Sequence, residues 1–221
     1  MDDKQRHQRL RLLIKKLNKD RKKQNQKIDI LCNDLISAQR NFIKRLSVIN
    51  FMVNFYESIL GVTDLNKLLY TAVEFIKAEN KDVNITFFLR QSKGNFPADS
   101  GPGENFELHT FENDQPTTID KHYIENCFTQ ELMENISRSN KVCILDDMYA
   151  MGLHGNLNEL NKISAVTIPM GLVGSSLGFI LVYRPSENKL IRDEIDRVSA
   201  VTNGLSRAII SCRTTSVTRN S

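Results

Sequence analysis

The chain of 221 residues contains no tryptophan, and no proline before Pro97. Glycine is almost as scarce in that front part, where only Gly61 and Gly94 occur, so little there would break a helix. Unbroken apolar runs reach only about five residues, as at Phe179 to Tyr183, against the roughly 20 that a membrane-crossing helix needs. That excludes a membrane span. The first residues, Met1-Asp2-Asp3-Lys4-Gln5-Arg6, lack the apolar core of a secretory signal, so no leader is expected. The four cysteines (Cys32, Cys127, Cys143 and Cys212) stand far apart with no Cys-x-x-Cys pair. They fit a reduced, cytoplasmic protein better than a disulfide framework.

What is present is unevenly placed. Hydrophobic residues make up 40% and charged residues 25%, enough for a packed core and too apolar for wholesale disorder. The formal net charge of +4 hides an asymmetry. Residues 1–50 carry 14 Lys/Arg against 5 Asp/Glu, a net of +9, whereas the rest carries 16 against 21, a net of −5. The chain therefore divides into a basic, proline-free front and a mildly acidic, globular back.

The front follows a heptad. With Ile28 at position a, the a positions from His7 to Tyr56 include Ile14, Leu35, Phe42 and Ile49. The d positions include Leu10, Leu17, Leu31, Met52 and Ile59. This 3-4 spacing makes one narrow seam on an α-helix about 80 Å long at 1.5 Å per residue, which needs a partner helix. A coiled coil with a second copy of the chain is the simplest solution. Arg21, Gln24 and Arg45 place polar layers in the seam, which cost stability but fix register. The g-to-e pairs carry no opposite charges, so parallel and antiparallel pairing both stay open. From Phe42 onward the e and g positions turn apolar (Leu46, Val48, Val53, Phe55), so the helix there should bury two faces, one on its partner and one on its own domain. Eleven Lys/Arg lie between Lys4 and Lys27. They suit a phosphate- or membrane-binding arm, but also the solvated outer face of a coiled coil, and the block has no aromatic residue to stack on bases or anchor in lipid.

The back alternates helix and strand. Thr63 or Asp64 can cap a helix with Leu65, Leu68, Leu69, Ala72, Phe75 and Ile76 on one face. A strand is expected over 82–89, a turn-rich loop over 92–104, a strand over 106–111 and a helix over about 119–138. A strand at Val142 to Leu145 ends in Asp146-Asp147, and a flexible stretch runs from Met148 to Lys162. A hairpin follows, over 165–170 and 177–183. The closing helix, from Ile191 to about Cys212, repeats the 3-4 spacing at Ile195, Val198, Leu205 and Ile209, a second seam able to lie beside the first. The tail over 213–221 is expected to be frayed.

This order of elements, from about Ile49 to Cys212, resembles a GAF domain. The resemblance is carried by Leu65 to Phe75, by Val142-Cys143-Ile144-Leu145-Asp146-Asp147, by Ser164 to Met170, by Leu177-Gly178-Phe179-Ile180-Leu181-Val182, and by Leu190 to Ile209. It implies an α+β fold in which a six-stranded antiparallel sheet is flanked by helices, preceded here by the long coiled-coil helix. The domain boundaries are then 1–48, 49–212 and 213–221. It also implies a homodimer whose first and last helices form a bundle, with Ile28, Leu31, Leu35, Phe42, Ile49, Met52, Ile195, Val198, Leu205 and Ile209 as its seam. The pocket would lie between one sheet face and the helix-and-loop layer from Lys121 to Lys162.

Specific site signatures are thin. Asn188-Lys189 and Asp193-Glu194 are nearly contiguous and lack the phenylalanine of the cyclic-nucleotide signature, so they read as a turn and a helix start. Nothing around Cys127 or Cys143 supports bilin attachment or the cysteine set of GAF-type methionine sulfoxide reductases. The four histidines form no metal-binding pair, and the glycines of 171–178 join two strands rather than cradling a phosphate. The candidate ligand-binding residues are Phe87, His109, Asp146, Asp147 and His154. Of these, Asp146-Asp147 at a strand end can accept a ligand's donor or equally cap the next segment. The sequence points to a non-catalytic sensory or regulatory module, with a separate effector protein and an unknown ligand or cofactor. The alternative is a ligand-free dimerisation scaffold.

Overall fold

A computed structural model describes residues 3–80, 82–91, 106–111, 123–172 and 175–219. The chain separates into two units, Met1–Ile49 and Asn50–Ser221. Helix α1 (Asp3–Ile59) makes up the whole first unit. There, from residue 5 to residue 49, every side chain except that of Val48 is exposed. Leu17, Leu31 and Leu35 are 66–68% accessible.

The second unit takes the last turns of α1 and continues with α2 (Leu65–Glu79), β1 (Asn84–Arg90) and β2 (Phe106–Phe111). Next come α3 (Tyr123–Asn126), α4 (Gln130–Ser139), β3 (Cys143–Ile144), α5 (Leu145–Ala150) and α6 (Leu157–Leu160). Strands β4 (Ile163–Leu172) and β5 (Ser175–Pro185), a 3-10 turn at Ser186–Asn188 and α7 (Arg192–Arg219) complete it. Asp64 starts α2: its carboxylate accepts the Lys67 amide at 2.7 Å, satisfying one of the orphan donors of the first turn. The strands form one antiparallel sheet in the order β2-β1-β5-β4-β3.

Strand alternation divides the core in two. Ile85, Phe87 and Leu89, with Ile180, Val182, Val166, Ile168 and Met170, face one side. There they meet Phe51, Phe55 and Ile59 of α1, the apolar stripe of α2, and Val198, Val201, Leu205 and Ile209 of α7. Phe88, Phe179, Leu181, Tyr183, Ile163 and Ala165 face the other side, toward the α3–α6 layer. Phe88, Phe128 and Phe179 stack there with centroids 4.6–5.8 Å apart.

Several expectations need correction. The sheet has five strands among the described residues, not six. The single helix over about 119–138 is two helices among the described residues: α3 ends at Asn126, and Thr129 caps α4, its side chain accepting the Leu132 amide at 3.3 Å. Residues 119–122, the turn-rich loop over 92–104 and part of the hairpin turn (173–174) lie outside the described residues. The strand expected over 142–145 shrinks to two residues, and the stretch from Met148 to Lys162 contains α6 and the end of α5. Val198, Leu205 and Ile209, read as a dimer seam, are at most 3% exposed inside the protomer's own core, and Ile195 packs against the same cluster. A 3-4 apolar stripe is the same whether it meets a helix or a sheet, and here it meets the sheet. Met52 likewise packs against this core. Residues 213–219, read as frayed, continue α7.

The start of α7 is held by a clamp. The Arg184 side chain is 5% exposed and its guanidinium meets both oxygens of Glu194, at 2.8 and 3.2 Å. It also donates to the carbonyls of Asn188 and of Lys189, the latter at 2.6 Å. Glu194 in turn accepts the Ile191 amide at 2.9 Å. Asn188-Lys189 and Glu194 thus belong to one turn and one helix start.

Candidate functional site: a buried carboxylate under the α3–α6 layer

Buried polar side chains on the α3–α6 side of the sheet include Thr86, Glu125 and Thr167. Thr86 on β1 and Tyr183 on β5 point to this face, and both hydroxyls donate to the same oxygen of Glu125, Oε1, each at 2.8 Å. Thr86 is fully buried and Glu125 is 6% exposed. Glu125 sits on α3 because its neighbours Ile124, Cys127 and Phe128 are core residues that draw this short helix onto the sheet. Its second oxygen, Oε2, is buried without a hydrogen-bond partner. An unpaired buried polar atom costs about 1–3 kcal/mol, so the cluster is not a closed hydrogen-bond network.

The Tyr149 hydroxyl on α5 is also buried and unpartnered. Burial pushes its pKa up, and Cys127, Tyr123 and Asp146 add to the rise. Burial also raises the Cys127 thiol; a hydrogen bond with the Tyr123 side chain acts in the opposite direction, and the Glu125 charge adds a smaller rise. The thiol itself donates to the Tyr123 carbonyl at 3.2 Å. The segment between α5 and α6 covers α3: the Asn156 amide donates to the Tyr123 hydroxyl. A side-chain carbon at Gly155 would lie 2.8–3.2 Å from Leu160, Cys127 and Tyr123. Asn135 on α4 reaches the Met151 carbonyl at 3.4 Å.

The five candidates from the sequence do not converge. Phe87 and His109 are paired across β1 and β2, and Phe87 faces the α2–α7 side, away from the α3–α6 layer. His109 Nε2 stands 3.8 Å from Glu107, and Glu107 pairs with Arg213 of α7 at 3.2 Å. Asp146 and Asp147 are exposed in the first turn of α5. Asp147 accepts the Ile144 amide at 3.0 Å, so of its two readings the structure displays the cap. His154 is exposed in the segment after α5. Of the residues that do converge, Thr86 and Tyr183 lie 39 and 58 positions from Glu125 in sequence, and no short motif contains all three. The only hint is a threonine in the middle of an otherwise apolar strand. Among the described residues, no group of three His, Cys, Asp or Glu side chains is arranged to hold a metal ion.

No protein-family model matches the sequence, and no curated protein matches it either. Solved structures do match. The GAF domain of a phosphoenolpyruvate-protein phosphotransferase from Coxiella burnetii superposes with a TM-score of 0.53 at 14% identity, over 78% of this chain and 98% of that one. The chain has the GAF fold. The GAF domain of the corresponding Acinetobacter phosphotransferase gives a TM-score of 0.52 at 10% identity, over 75% and 94% of the two chains. At such identities the likeness is one of architecture, and function has to be argued from the site. No described helix is long and apolar enough to cross a membrane.

Proposed function

We propose that this chain is a non-catalytic regulatory module: a small molecule held by the α3–α6 layer of the GAF fold sets the state of a homodimer paired through α1, and a separate effector protein reads that state. The observation that carries the reading is the half-satisfied Glu125 cluster. A buried carboxylate oriented by two hydroxyls, with its other oxygen unpaired, is a feature that a purely structural core tends to eliminate. The uncovered stripe of α1 supports the second half. Leu10, Leu17, Ile28, Leu31, Leu35, Phe42 and Ile49 remain 49–68% accessible in the single chain, at the spacing that a partner helix buries. On this reading the Lys/Arg of residues 4–27 mostly occupy the outer, solvated positions of the pair.

Native mass spectrometry of freshly purified full-length protein tests both halves. A dimer carrying a reproducible small added mass, lost in Glu125→Leu, is the expected result. A dimer with no added mass, also after incubation with a metabolite extract, favours the scaffold alternative; a monomer removes the α1 pairing.

A further inference from the structure

The front half of α1 carries its charge in a pattern that pairing does not require. From residue 5 to residue 27 there are ten Lys/Arg and a single acid, Asp20, and every side chain in the span is exposed. Arg11, Lys15, Lys19, Lys23 and Lys27 stand four apart. They therefore form one unbroken ridge, about 24 Å long at 1.5 Å per residue. Like charges at that spacing repel and weaken the helix that carries them. A face charged only for solubility mixes both signs and gains from ion pairs along the helix. Among the described residues, none of these ten cations has an ion-pair partner. The ridge is a concentrated positive field with no answering charge in its own helix.

The opposite side of the same helix is apolar. Leu10, Ile14 and Leu17 lie there in register with Leu31 and Leu35, so the seam can pair while the ridge faces outward. A free phosphate or a mononucleotide would meet one or two of the five ridge cations, whereas a polyanion meets the whole row. Three polyanions compete for it. A basic amphipathic helix binds an anionic membrane by sinking its apolar face into the lipid, and here that face is the seam. Single strands are held by bases stacked on aromatic rings, and the span has no Phe, Tyr or Trp. A duplex offers about one phosphate per 1.7 Å of its axis and is held by Lys and Arg alone, through release of its counterions.

We infer that the ridge of residues 11–27 binds double-stranded nucleic acid through its phosphate backbone, without reading sequence. This rests on the pairing of α1 proposed above, which occupies the apolar face, and not on the ligand-holding role.

The test uses full-length protein and fluorescence anisotropy at about 50 to 200 mM salt, with DNA duplexes of about 30 base pairs in two unrelated sequences, an RNA duplex of the same length and one of the DNA single strands. Co-sedimentation with vesicles of phosphatidylglycerol and phosphatidylcholine runs beside it. The expected result is micromolar or tighter binding of a duplex at the lower salt, equal for the two DNA sequences and weaker for the single strand, with no vesicle binding. The affinity should fall with salt at a logarithmic slope of about −3 to −5 per protomer. Preference for the DNA or the RNA duplex then names the source of the phosphates, and either supports the inference. The triple variant Lys15→Gln, Lys19→Gln and Lys23→Gln should bind at least about tenfold more weakly, with a slope shallower by about 2 to 3. All three sites are exposed and glutamine has nearly the helix propensity of lysine, so the variant folds, as circular dichroism will show. A control with Lys67→Gln, Lys141→Gln and Lys189→Gln, all exposed on the second unit, removes the same charge and should bind within about twofold of the wild type. Equal weakening by both triple variants would reduce the binding to net charge and overturn the inference. So would tighter binding of the single strand, or no duplex binding at about 50 mM salt by a protein that is still dimeric, a result that leaves the pairing of α1 standing. Vesicle binding without duplex binding would assign the ridge to a membrane and overturn it too; if the vesicle-bound protein is monomeric, the pairing falls as well.

Discussion

Replacing Glu194 with alanine removes one half of the clamp that fixes α7 to the end of β5. The Arg184 side chain is 5% and that of Glu194 14% exposed, so the change leaves a guanidinium largely out of water without its counter-charge. Breaking such a buried pair costs about 3–5 kcal/mol. Arg184 retains its bonds to the carbonyls of Asn188 and Lys189, which brings the expectation to the low end, about 3 kcal/mol. The lost acceptor for the Ile191 amide adds about 1 kcal/mol, as for a lost helix cap. For a domain of this size each kcal/mol lowers the melting temperature by about 2–4 °C, so calorimetry of the full chain should report a drop of about 8–16 °C in the transition of the globular unit. A double replacement, Arg184→Met with Glu194→Leu, should recover most of that loss, because the desolvated charge disappears with its partner. If Glu194→Ala melts within about 2 °C of the wild type, the clamp does not hold α7 and the reasoning is refuted.

Other sites give sharper, smaller tests. Gly178 has φ +138° and a side-chain carbon there would overlap the Phe88 carbonyl across the β1–β5 pairing, so Gly178→Ala should leave little folded protein by circular dichroism. Gly204→Ala would place a methyl carbon 2.6–2.7 Å from Cζ and Oη of Tyr56. A cost of about 1–3 kcal/mol is expected, and a denaturant double-mutant cycle should show it fall below about 1 kcal/mol in a Tyr56→Ala background. Burial raises the Cys127 and Cys212 thiols above their ordinary 9.0, while Cys32 is exposed. A thiol reagent at pH 8 should therefore modify Cys32 first and quickly; equal rates at all four cysteines would contradict the fold. The same shifts set a sign. The folded state holds these two protons more tightly, so their stabilisation is present below pH 9.0 and is lost as pH rises through the raised folded values, visible as a falling urea midpoint above pH 9.

Much of the architecture was legible because it is periodic. The Asp64 cap, the strand at 106–111 and the hairpin of β4 and β5 follow from local chemistry and period-two alternation. The break between α3 and α4 was also local, at Thr129, but the apolar positions on either side continue one stripe and hide it. The closing helix is legible as amphipathic, but Val198, Leu205 and Ile209 carry no mark that separates a sheet from a helix as their cover, and in the structure they meet the sheet as well as the end of α1. The Glu125 cluster was illegible for another reason: it is assembled by strand pairing between residues from three distant segments. Asp146-Asp147 stood out as a motif, and the Asp147 side chain is used in a cap.

The central claim is that α1 pairs two copies of the chain and that a ligand held near Glu125 acts on that dimer. Sedimentation equilibrium of the full-length protein, beside a variant carrying Leu31→Lys and Leu35→Lys, tests the pairing on which the rest depends. Both leucines are exposed in the single chain, so the variant leaves the GAF unit intact. The account predicts a dimer at micromolar concentration for the wild type and a folded monomer for the variant. A wild-type monomer, or a variant that remains dimeric, would contradict it.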